Sequence, residues 1–408
     1  MSSEKIKLYI NSELYWEKIW RKIDKAKDRI YIITYAMDNH LLANITLSKL
    51  INAAKRGVRV ILVVEYLNFF LKHSLVKKLI DNGGIVLKPN PISSCLLNFQ
   101  IKKALSRFHQ KVKLIDNDVF IGSINCNNDY GGYKYGTNKY KDLSLYLKNS
   151  PCKEKISNFF NKLVSNKNIS FNTINNGPKS KNINLLLDNY KGQNEFFLEQ
   201  YPPEKNEIRE IVHELLSKAK DSITIIQGYY MNIKPIEEIL LRALKKGVNI
   251  QIITSKNRNG TIYKYFLNGM LFEKLIENGA SVYEYLNNNL HIKAYLIDNK
   301  YLSIGSFNHD VTSFNINKEA NYLIKKANDN NYLFDDFQKI VKELKKNSRQ
   351  VKLLNFSENN SKNKKIGILN YIFNKIGFNM INTGLFLMGK YLTLNSNSIY
   401  TNKFILYK

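Results

Sequence analysis

Trp16, Ile19, Trp20, Ile23 and Ala26 fall at helical spacing, and this stripe predicts an amphipathic helix. Ala26-Lys27-Asp28-Arg29 then leads into Ile30-Tyr31-Ile32-Ile33, which reads as a strand. Far along the chain the pattern returns. Ile208, Ile211, Val212, Leu215 and Leu216 form a second stripe, followed by Ala219-Lys220-Asp221-Ser222 and the run Ile223-Thr224-Ile225-Ile226. Ala53-Ala54-Lys55-Arg56-Gly57-Val58-Arg59-Val60-Ile61-Leu62 likewise has a counterpart in Ala243-Leu244-Lys245-Lys246-Gly247-Val248-Asn249-Ile250-Gln251-Ile252. Each reads as a helix end, a capping glycine and a buried strand. Asn82-Gly83-Gly84-Ile85-Val86 and Asn278-Gly279-Ala280-Ser281-Val282 are both turns feeding a strand. One unit used twice, with helices and strands alternating, predicts an α/β fold of two similar α-β-α sandwich lobes, each around a mixed sheet.

A chain of 408 residues exceeds one ordinary core, so two lobes are assigned, 1–165 and 207–350. The connector is placed at 166–206, where Asn, Lys, Gly and Pro replace periodic apolar residues, although Leu185-Leu186-Leu187 has the character of a packed segment. Residues 351–408 form a basic and apolar tail. There Ile366, Ile368, Leu369, Tyr371, Ile372, Phe373, Ile376 and Phe378 lie among Lys362, Lys364, Lys365 and Lys375, a mixture that suits either an interfacial segment on anionic lipid or a helix packed on the second lobe.

A hydrophobic content of 44% with 12% aromatics excludes wholesale disorder. The 62 Lys and Arg against 34 Asp and Glu give a net charge of +28, a field that concentrates anionic partners such as acidic lipid headgroups or nucleic acid. The lysines are scattered, so much of that charge also fits ordinary solvated surface. Cys95, Cys126 and Cys152 are too few and too irregularly spaced for a disulfide framework or a zinc site, which points to a reducing compartment. Residues 1–10 carry charges where a signal peptide has its apolar stretch. The longest apolar stretch, Val58 to Leu71, is broken by Arg59 and Glu65 and is shorter than the roughly 20 residues a spanning helix needs.

Two of the six histidines share nearly identical surroundings. His109-Gln110-Lys111 is followed by Asp116 and Gly122-Ser123-Ile124-Asn125; His291-Ile292-Lys293 is followed by Asp298 and Gly305-Ser306-Phe307-Asn308. His and Lys two residues apart on a strand project from one face, so one imidazole and one ammonium converge on a shared space. The glycine of each corner is expected to let backbone approach an anion, and Ser123, Asn125, Ser306 and Asn308 to hydrogen-bond phosphate oxygens. His40, His73, His213 and His309 lack such company and are assigned to ordinary core or surface positions.

These residues resemble the phospholipase D superfamily, whose signature is H-x-K-x4-D followed by G-S-x-N, carried twice in its two-lobed members. Within it, Gly305-Ser306-Phe307-Asn308-His309-Asp310 with Ser313, Asn317 and Glu319 is similar to the second-motif pattern of bacterial-type cardiolipin synthases; Thr312 stands where that pattern has Arg. Asp129-Tyr130 and Tyr140-Lys141-Asp142 are similar to its D-E-Y and W-R-D segments, with the Glu absent and Tyr in place of Trp. The likeness covers about residues 10–345.

Phosphodiester chemistry needs fixed positive charge around the developing phosphorane, which Lys111 and Lys293 can supply, so neither metal nor cofactor is expected. One neutral histidine attacks phosphorus, while the other, protonated, donates to the leaving alcohol and then activates the incoming one. The resemblance implies that His109 is the nucleophile and His291 the acid and base, with Asp142 and Glu319 orienting the histidines. Asp116 and Asp298, placed among the catalytic candidates, suit a structural ion pair as well. Neither half holds both a nucleophile and an acid, so the motifs are expected to meet across a pseudo-two-fold axis. The implied reaction is phosphatidyl transfer of cardiolipin synthase type. Phospholipid hydrolysis, or a phosphodiesterase or nuclease acting on nucleic acid, are alternatives with the same site, and a catalytically idle lipid-binding scaffold is a further one. The expected partners are anionic phospholipids at a membrane surface, approached from the cytoplasmic side by a peripheral protein, with nucleic acid as the alternative.

Overall fold

The computed structural model describes residues 5–89, 106–165, 193–202, 205–256, 272–352. Most of the tail and of the connector, with Leu185 to Leu187, lies outside the described residues.

The first lobe runs β1 (Ile6–Tyr9), α1 (Ser12–Lys25), β2 (Arg29–Thr34), α2 (Leu41–Lys55), β3 (Arg59–Val64), α3 (His73–Asp81), β4 (Ile85–Leu87), β5 (Val112–Ile115), β6 (Asp118–Gly122), β7 (Tyr140–Lys141), β8 (Ser144–Leu147) and α4 (Lys153–Ser165). The second runs β9 (Glu195–Tyr201), β10 (Lys205–Asn206), α5 (Glu207–Lys218), β11 (Ser222–Gln227), α6 (Lys234–Lys245), β12 (Asn249–Ser255), β13 (Ser281–Tyr285), β14 (Asn289–Leu290), β15 (Lys293–Ile297), β16 (Tyr301–Gly305), β17 (Glu319–Lys325), α7 (Asn331–Lys346) and β18 (Ser348–Gln350). Only the longer helices carry labels.

The sheets have the orders β1-β8-β6-β5-β2-β3-β4 and β10-β9-β17-β16-β15-β11-β12-β13-β18. Apart from the edge strands β10 and β18, each position of one sheet has its equivalent in the other. Both are mixed: β2 runs parallel to β3 and antiparallel to β5, as β11 does to β12 and β15. Residues 195–201, given to the connector by composition, are instead a sheet strand, hydrogen-bonded to β17 over six residue pairs.

Strand and helix faces explain the layering. The apolar stripes of α1 and α2 cover one face of the first sheet, burying Trp16, Ile19, Leu47 and Leu50 against Ile30, Ile32 and Val60. Helices α5 and α6 cover the outer face of the second sheet in the same way, with Ile211, Leu215, Ile236 and Leu240 against Ile223 and Ile250. The two inner faces share one core. It joins Ile33, Val112 and Leu145 to Ala294, Ile304 and Tyr322, with Phe160 of α4 and Phe337 of α7. Strands buried on both faces read as continuous apolar runs, which is why Ile30 to Ile33 and Ile223 to Ile226 show little alternation.

Candidate active site

Each motif histidine arrives on a short ladder borrowed from the other lobe. Tyr140–Lys141 of the first lobe pairs in parallel with Asn289–Leu290, and the His291 amide donates to the Lys141 carbonyl at 2.9 Å. Its mirror is a bridge between Phe108 and Lys318, with the His109 amide donating to the Lys318 carbonyl at 2.9 Å. The residue after each borrowed segment is a carboxylate, Asp142 or Glu319. The strand that brings a histidine into the site is thus held by the segment that brings its carboxylate.

Nδ1 of His109 lies 3.0 Å from both carboxylate oxygens of Glu319, and Nδ1 of His291 lies 2.8 Å from Asp142. Both pairings cross between lobes, so the carboxylate downstream of each motif serves the other motif's histidine. A carboxylate at Nδ1 fixes the tautomer with its proton there and leaves the lone pair on Nε2. Ser306 Oγ donates to Glu319 at 2.5 Å, Ser313 Oγ at 2.7 Å, and Ser123 Oγ donates to Asp142. The serines therefore orient the carboxylates; their hydroxyls are engaged there instead of facing phosphate as expected.

The glycines also differ from expectation. A Cβ on Gly122 would stand 2.5 Å from Ser144 Cα, and one on Gly305 would stand 2.5 Å from Asn321 Cα. Their missing side chains make room for the neighbouring strand. Of each G-S-x-N corner the amide remains: a carbonyl oxygen of Asn125 and of Asn308 is buried without a hydrogen-bond partner among the described residues.

Asp116 and Asp298, candidates for catalysis or an ion pair, form no ion pair among the described residues and bind backbone amides. Both occupy the turn after the motif strand with φ of 49° and 52°, in the left-handed region that Asp tolerates better than most residues. Asp116 accepts the amides of Lys27, Asp28 and Arg29, and Asp298 those of Lys220, Asp221 and Ser222, so each clamps the start of the adjacent central strand.

Lys111 Nζ donates to the His109 carbonyl at 2.5 Å, whereas Lys293 Nζ reaches the His291 carbonyl at 2.8 Å and lies 3.1 and 3.0 Å from the two ring nitrogens. Burial pushes Lys293 down to about 8 and Lys111 well below the usual lysine range. Burial and then Lys293 depress His291 to about 3 against the pull of Asp142, and burial with both ammonium groups lowers His109 against Glu319. Each histidine feels the other lobe's lysine. Burial alone would raise Glu319, yet His109, Lys111 and the Ser306 hydroxyl hold it below the ordinary carboxylate range.

The walls were not foreseen. Tyr35 packs edge-on against His109 at 4.8 Å, while Tyr130, Tyr140 and Tyr229 surround His291 at 5.2, 5.2 and 5.9 Å. Behind Tyr35, buried Glu65 accepts from Arg107 Nη1 and from the Phe108 amide, each at 2.8 Å. An Arg two residues before the motif histidine and a Glu ending an apolar strand were the available signals.

The family model described as "Cardiolipin synthase, PLD-like domain" matches residues 19–164 and again 212–354. The chain belongs to this family. The two matches fall on the two lobes, so each lobe of this phospholipase D-like protein carries one family domain. Cardiolipin synthase from Listeria welshimeri is 25% identical over 324 residues, covering 78% of this chain and 65% of that one. Cardiolipin synthase from Geobacillus kaustophilus is 23% identical over 355 residues, covering 85% and 67%. The chain thus spans about 65% of the length of the first of these relatives. Among solved structures, phosphatidylserine synthase from Haemophilus influenzae Rd KW20 superposes with a TM-score of 0.70 at 16% identity, over 93% of this chain and 95% of that one. Polyphosphate kinase from Porphyromonas gingivalis gives 0.55 at 13% identity, over 83% and 47%. At those identities the likeness establishes the phospholipase D fold.

Proposed function

We propose that this chain is a phosphatidyltransferase of cardiolipin synthase type working through a phosphohistidine. The observation that carries the reading is the pair of cross-lobe His–carboxylate contacts, which place the proton on each Nδ1 and leave the lone pair on each Nε2 for chemistry. Nε2 of His109 attacks phosphorus and the bond to the leaving glycerol oxygen breaks as protonated His291 delivers its proton there. Neutral His291 then takes the proton of an incoming lipid hydroxyl, whose oxygen attacks phosphorus and breaks the phosphorus–nitrogen bond.

The depressed histidines fit this sequence. In the free site burial, and after it the ammonium groups, keep both rings neutral, as a nucleophile requires. A bound phosphate diester brings a negative charge that draws Lys293 away from the ring and removes the repulsion, so His291 takes up its proton on substrate binding. The relatives named cardiolipin synthase support a lipid hydroxyl over water as acceptor. No helix among the described residues is long and apolar enough to cross a membrane.

The test is incubation of the full chain with phosphatidylglycerol beside single-stranded DNA. Cardiolipin and glycerol in equal amounts are expected, with intact DNA. Phosphatidic acid and glycerol without cardiolipin would move the assignment to hydrolysis, and DNA cleavage without lipid product would move it to a nuclease.

A further inference from the structure

The loop that follows β3 turns one residue inward and three outward. Glu65 is fully buried and holds Arg107 and the amide of Phe108, the residue before His109. Immediately after it, Tyr66, Leu67 and Phe70 are 40, 44 and 65% exposed, large apolar side chains within five residues of one another.

This loop is rigidly tied to the reaction site. The Met37 amide donates to Asn68 and the Phe70 amide to Met37, at 3.1 and 3.0 Å, forming a short parallel bridge. Met37 also bridges Cys126, the residue after Asn125, whose amide donates to Ala36. Tyr35, two residues before Met37, packs against His109. The apolar side chains are thus carried on a backbone that is hydrogen-bonded to the segment beside His109.

Charge accompanies them. Lys88 lies 3.8 Å from the ring centre of Phe69, and Lys72, just beyond Phe70, is exposed. Exposed apolar side chains flanked by lysines match an anionic bilayer: the lysines meet headgroup charge and the side chains enter the acyl boundary. A single-stranded nucleic acid stacks bases on exposed aromatics but has no counterpart for the aliphatic Leu67.

We propose that residues 66–70 form a membrane-docking ridge that inserts Tyr66, Leu67 and Phe70 into the interface of an anionic lipid bilayer, presenting the His109 side of the site to the headgroups. This deepens the phosphatidyltransferase reading and rests on it for the location of substrate. Insertion by a ridge beside the site lets a diester reach His109 without leaving the bilayer, and apolar insertion is not screened by salt.

The test uses the full chain carrying Phe70→Trp, since native Trp16 and Trp20 are buried and supply a constant background. With phosphatidylglycerol vesicles the emission should shift to the blue, be quenched by brominated acyl chains, and keep part of that quenching at 1 M salt (Debye length about 3 Å). The double variant Leu67→Ser/Phe70→Ser should bind such vesicles about tenfold to a hundredfold more weakly, while turning over a short-chain, monomeric phosphatidylglycerol at the unaltered rate. Vesicle binding without quenching would overturn the proposal in favour of charge-only docking or docking by another segment. Absence of vesicle binding would overturn it in favour of a protein partner for the ridge. If the unaltered chain makes no product from either substrate, the phosphatidyltransferase reading fails, and the quenching result still decides the ridge.

Discussion

Glu319 holds His109 through Nδ1 at 3.0 Å although 210 residues separate them, and the mirrored contact joins Asp142 to His291 at 2.8 Å. Each half of the chain therefore completes the other's histidine, and neither lobe alone contains a positioned one. Glu319→Gln and Asp142→Asn should each lower turnover by about 10²-fold or more, because an amide can stabilise the opposite tautomer and misdirect Nε2. In a His109→Ala background, Glu319→Gln should cost almost nothing further, since the two act as a unit. Steady-state rates of the two single variants and the double variant decide this. Losses that multiply would show that the carboxylate acts elsewhere.

Lys293 gives the pH dependence a defined upper edge. Its ammonium is charged below its folded value of about 8 and neutral above, so the charge available for phosphate is present at pH 7 and disappears as pH rises through about 8. The profile of kcat/KM, which reports the free enzyme, should therefore fall on its alkaline side near that value. Lys293→Arg should be slower, because a planar guanidinium cannot copy the ammonium's contacts with the His291 carbonyl and ring, but its alkaline limb should move well upward. An unmoved limb in that variant would assign the edge to another group.

The recurrence of His109-x-Lys111 and His291-x-Lys293 was legible because the same structural unit is written twice, and like units build like sheets. The crossing of carboxylates between lobes was not. Linear order places Asp142 after the first motif and Glu319 after the second, and only the β7–β14 and Phe108–Lys318 ladders reverse the pairing. The glycines of the G-S-x-N corners misled because close approach to an anion and close approach to a strand make the same demand on a side chain. Strand β9 was hidden by its charged residues: Glu199 reads as surface, yet in the fold it is buried, accepting from Tyr201 and Lys205.

Asp116 and Asp298 should prove to be matters of stability. Each carboxylate accepts three consecutive backbone amides at the start of a central strand, and its loss exchanges these charge-assisted bonds for bonds to water. Asp116→Ala or Asp298→Ala should cost about 1–3 kcal/mol of folding free energy, with added strain from placing Ala at positive φ. Denaturant unfolding measures the loss. The kcat of the fraction still folded should match the parent, and a hundredfold drop in a fully folded variant would return these residues to the catalytic set.

The two histidines differ in one respect that supports the roles proposed for them. Lys111 commits its ammonium to the His109 carbonyl, leaving that ring to Glu319, whereas Lys293 touches both ring nitrogens of His291. Under the proposed mechanism a phosphate that competes for Lys293 lets His291 take up its proton, which is the behaviour of an acid that charges only with substrate bound. His109 feels Lys111 only across space, with that ammonium held on its carbonyl and away from the ring, and suits the nucleophile. A diester with a nitrophenolate leaving group needs no acid for its first step, so His291→Ala should still take up label from such a substrate and hold it, because the step that activates the acceptor is lost. His109→Ala should take up none. Mass mapping of the labelled peptide is expected to find phosphate on His109; label on His291 in the parent enzyme would reverse the two roles while leaving the shared site intact.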